Sequence, residues 1–262
     1  MTDPIAARAR EAAFDPLRFS EARMRVLSET AREGGIGRLS EKALHRILKL
    51  YFEPDEDRHE VRRLGSVADI LNDRGVTEIQ TRSFARLVPK LEKFLPHGPV
   101  TVVYPLPYTK VLRWIDPQSG EISPPHKSPK KATVFDAFFE LYNIRAYLSD
   151  PHFSLVLLFL NVEEYRYRDG YGKERKYRST RMERIPNSIE KMLVFHQPAD
   201  YLCFLPDGLP DRFTMRDVTA AISPRFRHAY SGVKILSDLN LIGESGKIGR
   251  ARAYALLSGQ SR

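Results

Sequence analysis

The sequence predicts an α/β protein with a sheet-forming unit in its first half and a helical module over residues 198–262. Three observations predict this class. Apolar residues fall at helical spacing over residues 36–50, three short strand-like segments lie between residues 59 and 81, and a β-branched run covers residues 100–106. Apolar residues make up 42% of the 262 residues, which is enough to bury a core.

The first predicted helix covers residues 36–50. Ser40 is placed to cap its N-terminus, and Glu41 falls in the first turn, where a carboxylate suits the helix dipole. Pro54 and the acidic residues around it end the helix. Residues 1–35 predict a helical, solvent-exposed leader that ends at two glycines.

Strand-like segments follow this helix. They cover residues 59–64, 66–71 and 76–81, and the Asn72–Gly75 stretch has the residue types of a turn. Residues 82–95 predict a helix despite Pro89. The apolar run at 100–106 is typical of a strand in the middle of a sheet. The predicted order is therefore helix, three strands, helix, strand.

The next segments predict a strand at 108–116, a hairpin turn at 117–120, an amphipathic helix at 133–148 and a buried strand at 153–165. Helices are then expected at 212–222, capped by Thr214, and at 228–242, before a basic hairpin at 243–257. Two helices followed by a hairpin is the order of a winged helix. We expect three parts: a leader (1–35), a sheet domain (36–195) and a winged-helix domain (198–262).

The charge balance favours a polyanionic partner. The net charge is +9 and the sequence pI about 9.6, and each basic residue set against a phosphate releases counterions. No apolar run is long enough to span a membrane, and the N-terminus lacks a signal peptide's apolar stretch, so we expect a cytoplasmic protein. The single cysteine, Cys203, excludes an internal disulfide and a Cys-rich zinc site, and we expect it to be buried and inert.

A set of acidic residues carries the candidate chemistry. Glu78 and Gln80 flank Ile79 and so point to the same side of their strand, while Asp69 lies among apolar neighbours. If the two strands form a hairpin, Asp69 and Glu78 can face each other, and their repulsion calls for a cation between them. Oxygen ligands suit Mg²⁺, with Mn²⁺ as a substitute, and such a metal can activate a water at a phosphodiester. Glu41 could add a third carboxylate.

Each acid alone could be a surface charge or a cap, but the joint pattern resembles the PD-(D/E)XK nuclease superfamily. The resemblance covers residues 36–106 and rests on Glu41, Asp69, Glu78 and Gln80 in that order of elements. It implies a restriction-endonuclease-like core with a mixed central sheet. It also implies that Asp69 and Glu78 are metal ligands at the scissile phosphate, that Glu41 is the helix-borne acid, and that all four residues are catalytic.

One position departs from that family. Gln80 stands where most members have lysine, although some restriction enzymes carry glutamine there, so the residue that would position the water is in question. Lys90 or Lys110 could supply the positive charge. His45 could line the same face as Glu41, but it fits packing or surface exposure better, as does His59. No two histidines have zinc-ligand spacing.

The expected function is a magnesium-dependent DNA endonuclease in restriction, defence or repair. The alternative is a nuclease fold that has lost catalysis and binds DNA as a regulator. We expect duplex DNA as partner, with RNA a weaker possibility, and the sequence leaves a homodimer open. The predicted DNA contacts are Lys130, Lys131, Arg175, Lys176, Arg178, Tyr230, Lys234, Lys247, Arg250 and Arg252. The same residues are also explained by structures that do not contact DNA: solvated loops, a charged hairpin and a winged helix used only for packing.

Overall fold

The computed structural model describes residues 10–32, 43–169, 180–223 and 228–257. Its strands are β1 (Arg10–Glu11), β2 (His59–Arg63), β3 (Ser66–Asn72), β4 (Gly75–Ile79), β5 (Val100–Ile115), β6 (His126–Lys127), β7 (Phe153–Tyr167), β8 (Thr180–Phe195), β9 (Phe213–Thr214), β10 (Ile242–Ile248) and β11 (Ala251–Leu256). Its α-helices are α1 (Pro16–Arg32), α2 (Ala43–Phe52), α3 (Val88–Phe94), α4 (Phe138–Tyr142), α5 (Met215–Ile222) and α6 (Ala229–Asp238).

The main sheet has eight strands and mixed orientation. The strand order is β1-β8-β7-β5-β4-β3-β2, and β6 pairs with β5. Strands β2, β3 and β4 form an antiparallel meander, β4, β5 and β7 run parallel, and β8 returns antiparallel to β7. The expectation of an α/β fold with a mixed central sheet is confirmed.

Helices cover both faces of this sheet. On β5 and β7, Val102 and Leu155 belong to one apolar cluster, whereas Val103 and Val156 belong to another. The first cluster includes residues of α3 and α4, and the second includes residues of α1 and α2. Because both faces are covered, β5 and β7 consist largely of consecutive apolar residues rather than alternating with polar ones.

The sequence predicted a helical, solvent-exposed leader, but its described part, residues 10–32, packs against the sheet. Helix α1 buries Phe19, Ala22 and Val26 against the sheet, at the spacing of one helical face. Strand β1 pairs with β8 at the edge of the main sheet. Many charged residues lie between these positions, so the composition of the segment does not reveal its apolar face.

Two predicted helices are interrupted. The segment expected as one helix at 82–95 is a 3-10 helix over Phe84–Leu87 followed by α3, and Pro89, which cannot donate a backbone hydrogen bond, falls in the first turn of α3. The segment expected at 133–148 divides into the 3-10 helix Val134–Ala137, α4 and a further 3-10 turn. The Arg145 guanidinium donates to the carbonyl of Tyr142, the last residue of α4.

Strand β5 continues through the two segments that the sequence had separated, and β6 folds back on it as the expected hairpin. Strand β8 was not predicted. The second sheet, with order β10-β11-β9, adjoins α5 and α6. Thr214 caps α5 through a reciprocal pair with Asp217, as expected. Helix α6 ends at Asp238, before the predicted residue 242, because Asn240 adopts a left-handed φ of 55°.

The C-terminal elements share a core with the main sheet. Val233 and Leu236 of α6 lie in the same apolar cluster as Phe138 of α4 and Phe204. Cys203 is buried within this cluster, as expected. Within the described ranges, no helix is both long enough and apolar enough to cross a membrane.

Candidate active site

The β3–β4 hairpin brings two of the predicted acidic residues together. Its turn follows Asn72, and the antiparallel register pairs Ile70 with Thr77. Extending that register by one residue sets Asp69 opposite Glu78 on the same face of the hairpin. The sequence prediction that the two carboxylates face each other is therefore consistent with the strand register.

Asp69 is fixed by two neighbouring elements. Its Oδ2 accepts a hydrogen bond from the Ile79 backbone N–H at 2.7 Å and lies 3.0 Å from Nε2 of His45. Nε2 is also 3.1 Å from the Ile79 carbonyl, so an Nε2–H can donate to both oxygens. Burial alone would raise the pKa of Asp69, but the His45 contact and the Ile79 N–H hold that pKa below its ordinary value.

Glu78 is almost completely buried, with 1% of the residue exposed. Its Oε2 accepts a hydrogen bond from Lys90 Nζ at 2.7 Å, whereas its buried Oε1 has no hydrogen-bond partner among the described residues. Burial and the negative charge of Asp69 raise the pKa of Glu78 to about 7, and Lys90 opposes that rise. A buried carboxylate oxygen without a partner is costly, so this atom is a site for a cation or a donor from outside the chain.

These residues fit a divalent metal such as Mg²⁺. Two adjacent carboxylates supply hard oxygen ligands, the unpartnered Glu78 oxygen is available, and a cation would relieve their repulsion. In the part of the chain that the structure describes, no group of three His, Cys, Asp or Glu side chains is arranged to hold a metal. Glu41, the predicted third acid, lies outside the described residues.

Gln80 follows β4 directly and lines a different space from the acid pair. Its side-chain amide donates to the backbone carbonyls of Arg82 and Ser83. It borders a cleft of about 370 Å³ whose wall also includes His45 and Arg181. Lys90, not Gln80, supplies the positive charge at Glu78, so one of the two lysines considered as substitutes does lie at the acid pair. The other, Lys110, lies elsewhere, on β5 near Glu164.

The predicted DNA contacts are dispersed. Lys130 pairs with Asp136, and Lys131 lies 5.1 Å from the ring centre of Tyr108. On α6, Tyr230 is exposed and Lys234 pairs with Asp238.

The remaining predicted contacts are on or near the C-terminal hairpin, or outside the described chain. Lys247 and Arg250 are exposed there, and Arg252 lies 3.4 Å from Glu244. Arg175, Lys176 and Arg178 lie outside the described residues. His59 contacts the Glu53 carbonyl at 2.8 Å and so has a packing role.

Sequence reasoning missed a group of basic residues beside Gln80. Arg82 follows β4, whereas Arg181 and Arg184 come from β8, and all three border the same cleft. Arg184 pairs with the fully buried Glu164 at 2.8 Å. Burial alone would raise the pKa of Glu164, but Arg184 and Arg166, which both pair with it, hold that pKa at about 2. The Arg-rich stretch before residue 184 was a partial signal in the sequence. Nothing in the sequence indicated that this stretch would lie beside Arg82.

The model of a known protein family matches part of this sequence. A family model described as a domain of unknown function, DUF8091, matches residues 42–196, more than half of the chain. The chain belongs to this family. The DUF8091 segment contains Asp69, Glu78 and Lys90 and begins just after Glu41.

A bacterial relative extends the similarity beyond the DUF8091 segment. An uncharacterized protein from Treponema pallidum (strain Nichols) is 28% identical over 215 residues, which cover 82% of this chain and 84% of the relative. No solved structure matches the chain. Neither the family description nor the relative's name states an activity.

Proposed function

We propose that this DUF8091 protein is a metal-dependent DNA endonuclease with a restriction-endonuclease-like core. One observation carries the proposal: Asp69 and Glu78 lie on one hairpin, with a buried, unpartnered Glu78 oxygen beside Lys90. The element order supports it, since a helix, an antiparallel three-stranded meander, a helix and a parallel strand follow one another in the order that the resemblance implied.

In the proposed site, Asp69 and Glu78 would hold a magnesium ion. When bound, such an ion would supply Lewis-acid stabilisation of the scissile phosphate and would lower the pKa of a water bound to it. His45 and the Ile79 N–H fix the orientation of Asp69, because both donate to the same carboxylate oxygen. The partly buried His45 also covers the Asp69 side of the site and limits its access to solvent.

Most nucleases of the PD-(D/E)XK superfamily have lysine at the position of Gln80. In this protein, Lys90 fills the role of that lysine. Its ammonium reaches Glu78 from α3 and keeps one carboxylate oxygen engaged. The same ammonium can stabilise negative charge that develops on a phosphate at the acid pair. Gln80 instead binds backbone carbonyls of the loop that follows β4, and so it shapes that loop.

The C-terminal module supports a winged-helix assignment in part. Two helices and a three-stranded sheet occur in the expected order, and Lys247 and Arg250 are exposed at the hairpin for contact with backbone phosphates. Helix α6 buries five of its residues, however, and among its described side chains only Tyr230 and Asp238 are exposed. We therefore assign duplex contacts to the hairpin rather than to a deeply inserted helix.

A second candidate is a DNA-binding protein that has lost catalysis. The position of Gln80 favours it, because its amide binds the backbone instead of extending toward the acid pair. The two candidates differ in metal dependence. A regulator would bind DNA equally well with or without divalent cations, and its binding would not depend on Asp69.

The test is cleavage of a supercoiled plasmid by the full chain with Mg²⁺, with Mn²⁺ and with EDTA. Wild type is expected to nick or linearise the plasmid only with a divalent metal, and Asp69→Asn to abolish cleavage. Asp73→Asn is the matched control, because Asp73 is exposed in the adjacent turn. Equal activity of wild type and Asp69→Asn, or cleavage in EDTA, would refute the proposal. Metal-independent DNA binding without cleavage would favour the regulator.

A further inference from the structure

Two adjacent cavities lie near His45, which contacts Asp69 of the acid pair. The first, of about 370 Å³, is bordered by Gln80 and His45, and the second, of about 280 Å³, lies beside Tyr104 and Lys110. They share a wall of four residues: Thr81, Arg82, Arg181 and Arg184. Residues on or next to β4, β5 and β8 line these adjoining cavities, and His45 and Gln80 lie at one end.

A third cavity continues from these two toward the C-terminal module. It has a volume of about 730 Å³ and shares Tyr104, Lys130 and Asp136 with the second cavity. It reaches Phe139 of α4 and His228, which precedes α6, and the two rings are 4.9 Å apart. We call the three adjoining cavities the basic groove.

Several basic residues of the groove form no ion pair within the described part of the chain. Within the described ranges, Arg82, Arg86, Arg181 and Lys110 have no ion-pair partner. The acidic residues of the groove are already engaged. Glu183 accepts from the Arg184 N–H, and Asp136 accepts from Lys130 and the Thr133 N–H. Glu140 accepts from two backbone N–H groups of the loop after β4.

An anion with several regularly spaced charges fits this arrangement. Burial lowers the pKa of both Arg181 and Lys110, so a nearby phosphate would stabilise the charged form of each. At its far end the groove offers Phe139, which is 54% exposed and can stack against a base. The first two cavities are at the lower end of ligand-sized pockets, about 300–1,000 Å³, which suits one nucleotide at a time and not a duplex.

We propose that the basic groove binds a single-stranded polynucleotide, with its phosphates on Arg82, Arg181 and Lys110 and a base on Phe139. This inference rests on the proposed function only for the cleavage of the bound strand. Strand binding itself needs neither the metal nor the acid pair. A strand held this way passes His45, which contacts Asp69 of the acid pair. The hairpin contacts of the C-terminal module can hold adjoining duplex.

The test is fluorescence anisotropy of labelled dT15, U15 and a 15-base-pair duplex with the full chain in EDTA. Tighter binding of dT15 or U15 than of the duplex is expected, and the tighter of the two identifies the sugar. Arg82→Ala and Arg181→Met should each weaken single-strand binding about fivefold or more. Each should also reduce the slope of log K against log salt by about 0.7, the value for one lost phosphate contact on a single strand.

Arg74→Ala is the matched control. Arg74 and Arg82 are both exposed and lie just before and just after β4, at opposite ends of that region. Single-strand affinity within twofold of wild type is expected for Arg74→Ala. Equal losses for Arg74→Ala and Arg82→Ala, or tighter binding of the duplex, would overturn the inference.

The two proposals can fail separately. Asp69→Asn should keep full dT15 affinity while losing cleavage. If wild type cuts no plasmid with any metal but Arg82→Ala still loses strand affinity, the nuclease proposal fails and the groove stands. If wild type cuts and Arg82→Ala binds dT15 normally, the groove assignment fails and the nuclease proposal stands.

Discussion

Lys90 Nζ lies 2.7 Å from Glu78 Oε2, across the gap between α3 and the second strand of the acidic hairpin. This contact opposes the two factors that raise the pKa of Glu78, namely burial and the charge of Asp69. The lysine is therefore an electrostatic partner of the acid pair.

Replacing Lys90 should separate its role from that of Gln80. Lys90→Met is expected to reduce plasmid cleavage about 100-fold, the usual cost of removing one charge-stabilising group from an active site. Gln80→Ala should cost less, because its amide binds backbone carbonyls. Initial cleavage rates at saturating Mg²⁺ measure both.

Folding has to be controlled in that comparison, because Lys90→Met leaves Glu78 buried without its partner. The double variant Glu78→Gln, Lys90→Met removes the buried charge and should melt at or above the temperature of Lys90→Met while remaining inactive. If Gln80→Ala lost more activity than Lys90→Met, the assignment of Lys90 would be incorrect.

Glu78→Gln should stabilise the metal-free protein at high pH. The folded-state pKa of about 7 exceeds the ordinary 4.5, so the folded state loses stability as the pH rises from about 4.5 to about 7. In EDTA at pH 8, the glutamine variant should therefore melt higher than wild type, and the two should converge near pH 4. Mg²⁺ should raise the melting temperature of wild type and leave that of Glu78→Gln nearly unchanged. A wild type that is more stable than the variant in EDTA at pH 8 would contradict this.

Glu164→Gln should have the opposite effect. Its folded-state pKa of about 2 lies below the ordinary 4.5, so its contribution is fully present above about pH 4.5 and is lost as the pH falls toward 2. At about 1.4 kcal/mol per pH unit, we expect a loss of roughly 3 kcal/mol at pH 7, measured by urea unfolding. Glu163→Gln, on the other face of β7, should cost less than about 1 kcal/mol. Similar losses for both variants would argue against a special role for the Glu164 ion pairs.

Gly232→Ala should loosen the packing of α6 on α4. A Cβ at this position would lie 2.1 Å from a ring carbon of Phe138. Overpacking of this kind costs about 1–3 kcal/mol, more than the helix propensity that alanine gains, so the free energy of unfolding should fall. Ser231→Ala, one residue earlier on the same helix, is the control and should be neutral or slightly stabilising. A loss confined to Ser231→Ala would show that the Phe138 contact is not tight.

The sequence predicted the acid pair because the signals there are local. The alternation around Asp69 and Glu78 and the turn after Asn72 specify a hairpin without help from the rest of the chain. The position of Lys90 at Glu78 was one of two alternatives, since a helix's docking angle depends on the sheet beneath it. His45 had fitted packing better, and only the docking of α2 reveals its contact with Asp69.

The basic groove could not be predicted in the same way. Arg82, Lys110 and Arg181 lie far apart in sequence, and they meet only because the sheet orders β4, β5, β7 and β8 side by side. Strand β8 itself was missed, as was the break in the predicted 133–148 helix. After α4, the Arg145 guanidinium donates to the Tyr142 carbonyl and to Asp238 of α6, and the second of these contacts is not visible in the local sequence.

The apolar cluster that α6 shares with Phe138 and Phe204 makes the folding unit longer than the segment that the family model matches. The family match ends at residue 196, before α6 begins. A fragment cut at that point would expose the side of Phe138 that α6 covers, and it would aggregate or melt early rather than fold as an autonomous unit. The segment that the family model matches is thus shorter than the cooperative unit, and the full chain should unfold in a single calorimetric transition.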